Sequence, residues 1–125
     1  MVSFPAERAT QGCLDVAVEA AVDPVAEGPV LDLYLGNRCT ESVWVDIPSL
    51  QMTVYIDDGE EMPVGFYDPR DELKASLLGG KEQTMVRLEL QAPIESLRVC
   101  AQLDKLASTK APGPPQILCT KVQGV

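Results

Sequence analysis

The chain has 125 residues, 46% of them apolar, with 19 acidic against 10 basic side chains, a net charge of -9 and no histidine. That length suits one domain of ordinary globular composition. An acidic surface repels phosphate and argues against nucleic-acid binding. The absence of histidine removes the commonest general base, every Ser-His or Cys-His nucleophile pair and every histidine metal site.

Residues 1–12 show no periodic pattern, and the expectation is a flexible segment ahead of a domain over residues 13–125. The opening residues lack a basic stretch followed by an apolar one, so an exported form of this chain would have lost its leader already. No apolar run approaches the ~18 residues of a membrane-spanning helix. Leu14, Val16, Val18, Ala20 and Val22 alternate with Asp15, Ala17, Glu19, Ala21 and Asp23. This is the period of a strand with one buried face. A Pro/Gly-rich turn follows, then a second strand in which Leu31, Leu33 and Leu35 alternate with Asp32 and Tyr34. Gly36-Asn37 reads as a bulge near its end. Val43, Val45 and Ile47 form a third strand, stopped by Pro48.

Met52, Val54 and Ile56 alternate with Thr53 and Tyr55 and lead into Asp57-Asp58-Gly59-Glu60, a hairpin turn by composition. Val64, Phe66 and Tyr67 then read as one short return strand. Leu73, Leu77 and Leu78 stand at helical spacing, which predicts one short helical turn near 71–78, closed by Gly79-Gly80. Alternation returns at Val86, Leu88 and Leu90, at Leu97, Val99, Ala101 and Leu103, and at Leu118, Thr120 and Val122. A Pro/Gly-rich loop over Ser108–Pro115 separates the last two strands. Seven to eight short strands with regular turn signals predict an all-β chain, a single antiparallel immunoglobulin-like sandwich.

Cys13, Cys39, Cys100 and Cys119 are four cysteines without a CxxC pair. A redox motif or zinc knuckle needs close pairs, so two disulfides in an exported domain are expected. Cross-strand neighbours have the separation a disulfide requires. Cys13 and Cys39 are equidistant from the first hairpin's centre at Ala26, and Cys100 and Cys119 nearly so from the middle of the last loop. The expected pairs are Cys13–Cys39 and Cys100–Cys119, with Cys39–Cys100 as the rival. Cys100 and Cys119 share the non-core parity. Cys13 and Cys39 do not, unless Gly36 is a bulge.

Asp57, Asp58 and Glu60 form the densest acidic cluster, a candidate Ca²⁺ site without the EF-hand spacing. The plainer reading is a solvated hairpin tip, and no cofactor is expected. Tyr67 and Arg70 belong to a loop, Tyr67-Asp68-Pro69-Arg70-Asp71-Glu72-Leu73, which either pins a crossover through Arg70 or contacts a partner. Trp44 and Tyr55 fall on outward parity of neighbouring strands, with Tyr34 as a third candidate, and would form an aromatic platform. No serine lies in a nucleophile elbow and no carboxylate pair stands out, so the chain reads as no enzyme.

The segment from Leu31 to Val45 and the loop from Tyr67 to Leu73 resemble parts of small exported proteins and lipoproteins of Gram-negative bacteria. Those proteins have an immunoglobulin- or fibronectin-III-like sandwich. The resemblance implies a cell-envelope location, in the periplasm, on the outer membrane or at the cell surface, and supplies no catalytic residues. The leading expectation is a binding or structural module recognising a protein partner. The alternatives are a calcium-assisted carbohydrate-binding module on Asp57, Asp58, Glu60 and the Trp44/Tyr55 face, a proteinase-inhibitor-like sandwich presenting Ser108–Pro115, and an intracellular adaptor with free thiols.

Overall fold

A computed structural model of the chain describes residues 5, 8–22, 28–56, 60–67, 76–92, 96, 98–103, 106 and 116–123. The described residues form β1 (Ala9–Gln11), β2 (Leu14–Val22), β3 (Pro29–Asn37), β4 (Val43–Val45), β5 (Gln51–Ile56), β6 (Glu60–Val64), β7 (Phe66–Tyr67), β8 (Ser76–Leu78), β9 (Gln83–Leu90), β10 (Arg98–Gln102) and β11 (Ile117–Gln123). One turn of 3-10 helix, Ile47–Ser49, lies between β4 and β5. The chain is therefore all-β, as the period-2 pattern requires.

Nine strands join in one curled sheet in the order β6-β5-β10-β11-β2-β3-β9-β7, with β1 beside β2; β4 and β8 form a separate ribbon. The curl brings alternate residues of both arms into one core. Leu14, Val16, Leu31, Leu33 and Leu88 come from β2, β3 and β9, and Met52, Val54, Val99, Ala101 and Val122 from β5, β10 and β11. The expected aliphatic character holds: the largest fully buried side chains are leucines and valines. Burying these surfaces is the main term favouring the fold, at about 25 cal/mol per Å² of apolar area.

The arrangement is not purely antiparallel. β11 runs parallel to β2, through Val122 opposite Ala20 and Gln123 opposite Ala21. At the other end of β2 the same edge is taken by β1, with Thr10 opposite Asp15. Among the described residues, pairing thus reaches back to Ala9, ahead of residue 13.

Four local expectations change. The return strand after the acidic turn splits at Gly65. β6 pairs with β5, whereas β7 pairs with β9 at the opposite end of the sheet order. The Gly65 carbonyl accepts a hydrogen bond from the Gln91 amide at 2.8 Å, which fixes the crossing. The helical turn is a strand over Ser76–Leu78, and residues 71–75 lie outside the described set. Helical spacing put Leu77 and Leu78 on one face, but strand geometry sends them to opposite faces: Leu78 enters the core and Leu77 is 64% exposed. The third strand stops at Val45 rather than Ile47, because the chain enters the 3-10 turn with Pro48 inside it. Gly36 makes no bulge: it sits in unbroken register opposite Asp15 and Gln83.

Candidate functional site

Two of the exposed large apolar side chains among the described residues, Trp44 and Leu77, meet on the β4–β8 ribbon, while Met85 and Ile117 stand apart on β9 and β11. Val43 faces Leu78, Trp44 faces Leu77 and Val45 faces Ser76. Period-2 facing sends Val45 and Leu78 into the core, leaving Trp44 and Leu77 side by side on the outer face. Trp44 is 45% exposed. The outward parity expected for Trp44 is what the structure has.

The ribbon is held by a polar hub that the sequence pattern did not single out. Asn37, at the end of β3, is buried. Its Nδ2 donates to the carbonyl oxygens of Glu41 (2.7 Å), Gly79 (3.1 Å) and Leu78 (3.2 Å). Its Oδ1 accepts from the Cys39 amide at 3.0 Å, and its own amide donates to the Glu82 carbonyl at 2.9 Å. One side chain thus joins β3, the segment before β4 and the end of β8. A buried amide satisfied on both atoms is a rigid fastening. The turn below it is equally constrained. A Cβ on Gly80 would lie 2.0 Å from the Thr40 carbonyl oxygen, so glycine is required there. Lys81 adopts a left-handed φ of 64° and its amide donates to the Cys39 carbonyl at 2.9 Å.

Cys13 is bonded to Cys39 beside this hub, with Cα atoms 5.4 Å apart. The Cys39–Cys100 rival is excluded by this pairing. Leu14 opposes Asn37, so Cys13 falls opposite Arg38 and the disulfide closes just past the end of the ladder. The parity conflict disappears without a bulge, because neither cysteine belongs to the paired register. Arg38 ties the same corner: its amide donates to the Cys13 carbonyl at 2.8 Å, its Nη2 to the Gly12 carbonyl, and its Nε meets the Asp15 Oδ1 at 3.1 Å. Asp15 is buried on the outer side of β2, and also accepts from Thr10 Oγ1 at 2.9 Å and meets Arg8 at 3.6 Å. Gly36 opposite it carries no side chain, which leaves the carboxylate room for these partners.

Cys100 is bonded to Cys119 across β10 and β11, in direct register and with Cα atoms 4.0 Å apart. That is the close spacing of a non-hydrogen-bonded antiparallel pair. Both sit on the outer side, as their parity predicted.

The expected aromatic platform does not assemble. Trp44 is on the ribbon, whereas Tyr55 is on β5 of the large sheet, so they are not on neighbouring strands. Tyr55 is committed within the chain: Arg98 lies 4.3 Å over its ring, and its hydroxyl donates to Glu61 Oε2 at 2.9 Å. Tyr34, on β3, lies in an outward row between Ala17 and Met85. Its hydroxyl donates to Glu19, and that hydrogen bond, with burial and the nearby negative charge of Glu19 and Asp32, pushes its pKa up to about 12. Asp32 itself is bridged by Arg87 through two contacts, at 2.8 and 3.2 Å.

Tyr67 lies in β7 opposite Glu89, and Arg70 lies outside the described residues. Of the acidic cluster, Asp57 and Asp58 lie outside them too, while Glu60 begins β6 opposite Ile56. The loop Ser108–Pro115 is also outside. No helix among the described residues is long and apolar enough to cross a membrane. Comparison with known proteins adds no family: no protein-family model matches the chain, no curated protein matches it, and no solved structure matches it.

Proposed function

We propose that the chain is a non-enzymatic binding module of the bacterial cell envelope, which docks a protein partner on the outer face of the β4–β8 ribbon. The observation that carries this reading is the pairing of Trp44 and Leu77, 45% and 64% exposed, directly opposite each other on a short ribbon. Scattered exposed apolar residues need no explanation, but two bulky ones in contact range form an anchor of the kind that dominates protein interfaces. Asn37 and the Cys13–Cys39 disulfide hold the ribbon's base, so little order would be lost on docking.

Two disulfides fit an oxidising compartment, which supports export. The strand order supports an immunoglobulin-like sandwich. β6-β5-β10-β11 would be one layer, β2-β3-β9-β7 the other, with the parallel β11–β2 pair as the seam between them.

The reading is tested by photo-crosslinking in cells that export the chain, with the crosslinking side chain placed at position 77. A discrete protein adduct is expected, absent when the same probe stands at Gln123 and lost when Trp44→Ser is added to the position-77 probe. An adduct pattern indifferent to Trp44 would overturn the ribbon as the docking face.

A further inference from the structure

We propose that Cys119 is a thiol-exchange site, at which an incoming thiolate forms a mixed disulfide and displaces Cys100. Three features of the outer face of β10 and β11 carry this. First, the two sulfurs are unequal: Cys119 is exposed, whereas Cys100 is 5% exposed, so attack has one open end. Second, the neighbouring outward row is cationic. Arg98 and Lys121 face each other across the same two strands, two residues from Cys100 and Cys119 respectively. Residues two apart on a strand share a face, about 7 Å apart. Third, the carboxylate of that row, Glu61, is the member farther from the sulfurs: it stands opposite Tyr55, whose hydroxyl donates to it, and Tyr55 in turn stands opposite Arg98. In a chain of net charge -9 this is a local positive spot beside a disulfide.

The chemistry follows. A thiolate RS⁻, steered by Lys121, attacks Cys119 Sγ. An RS–S bond forms, the Cys100–Cys119 bond breaks, and the electron pair leaves on Cys100 Sγ as a thiolate. Arg98 favours that charge, and a better-stabilised leaving thiolate leaves faster. A second RS⁻ attacking the RS sulfur releases RSSR and the Cys119 thiolate; the two protein thiolates take protons from water.

The other disulfide lacks these features. Cys13 and Cys39 are both half-buried, and the amides and carbonyls around them are engaged. The two cations beside them are engaged, Arg38 on Asp15 and the Gly12 carbonyl, and Lys81 on the Arg38 carbonyl.

The test uses the fully oxidised chain, glutathione at neutral pH without denaturant, acid quench, alkylation and peptide mapping. The Cys100–Cys119 bond is expected to open about tenfold faster than Cys13–Cys39, with the glutathione adduct on Cys119. The double variant Arg98→Gln/Lys121→Gln is expected to slow the opening about threefold while the Cys13–Cys39 rate stays unchanged. Equal opening of both disulfides would mean that exchange runs through unfolding, and an adduct on Cys100 would mean that the wrong sulfur is attacked. Either result overturns the proposal, as does a double variant that opens at the wild-type rate.

Discussion

The two disulfides close hairpins of similar build in different ways. β10 and β11 place Cys100 and Cys119 in register on the outer side of the sheet, Cys119 exposed and Cys100 buried, where the bond is one rung of the ladder. β2 and β3 end before their cysteines are reached, so Cys13 and Cys39 join one step beyond the last pair. The difference is a single residue of register. It decides what surrounds each bond: strand neighbours and solvent in one case, a hub of Asn37, Arg38 and Lys81 in the other. A staple inside a ladder constrains a segment already aligned by main-chain pairing. A staple past the end of a ladder organises a corner, and this corner holds the ribbon that carries Trp44 and Leu77.

Removing each bond breaks the comparison most directly. The sequence separations are 26 and 19 residues. The chain-entropy account then gives about 3 kcal/mol for each, with the difference between the two loops well under 1 kcal/mol. Denaturant unfolding of the Cys13→Ser/Cys39→Ser and Cys100→Ser/Cys119→Ser variants is expected to show two similar losses. A much larger loss for the first would show that the corner network collapses with its disulfide.

Asn37→Ala sharpens the same point with both disulfides intact. It leaves the half-buried Cys39 amide and the Leu78 and Gly79 carbonyls short of their partner, and is expected to cost about 2 kcal/mol. The accompanying signal is Trp44, the chain's one tryptophan, whose fluorescence should report a looser ribbon. Unchanged stability and emission would show that the disulfide alone holds the corner.

The smallest expected effect concerns the outer row of the β2–β3 hairpin. Tyr34 keeps its proton until about pH 12 against an ordinary value of 10.0. The neutral phenol is the form the fold favours, so its contribution is complete below about pH 10 and is lost as pH rises towards 12. Phenolate absorbance should show Tyr34 titrating late, and Glu19→Gln should bring that titration down.

Much of the sheet was legible in the chain. Leu14 to Val22 and Leu31 to Leu35 alternate so regularly that their inner faces could be assigned residue by residue. The two disulfide pairs followed from hairpin symmetry, because antiparallel neighbours within one hairpin are set by local geometry. The docking face was half legible. Trp44 faces outward by parity, but its partner Leu77 was hidden by a helical spacing that competed with a three-residue strand. In the sequence Gly36-Asn37 reads as a bulge, because an amide in a strand pattern gives no sign of the carbonyls that Asn37 meets 41 and 42 residues away.

By itself the sequence determined the strand period, the inward residues, the aliphatic core and the order of the hairpins, since these depend on side-chain alternation and turn chemistry within a few residues. Only the tertiary structure decided three things: the split of β6 from β7 at Gly65, the parallel seam of β11 on β2, and the ribbon formed by β4 and β8. Each is a pairing between distant segments. Each depends on which strand edges remain free once the local hairpins have formed, and on the shared apolar surface that both arms of the sheet must bury together.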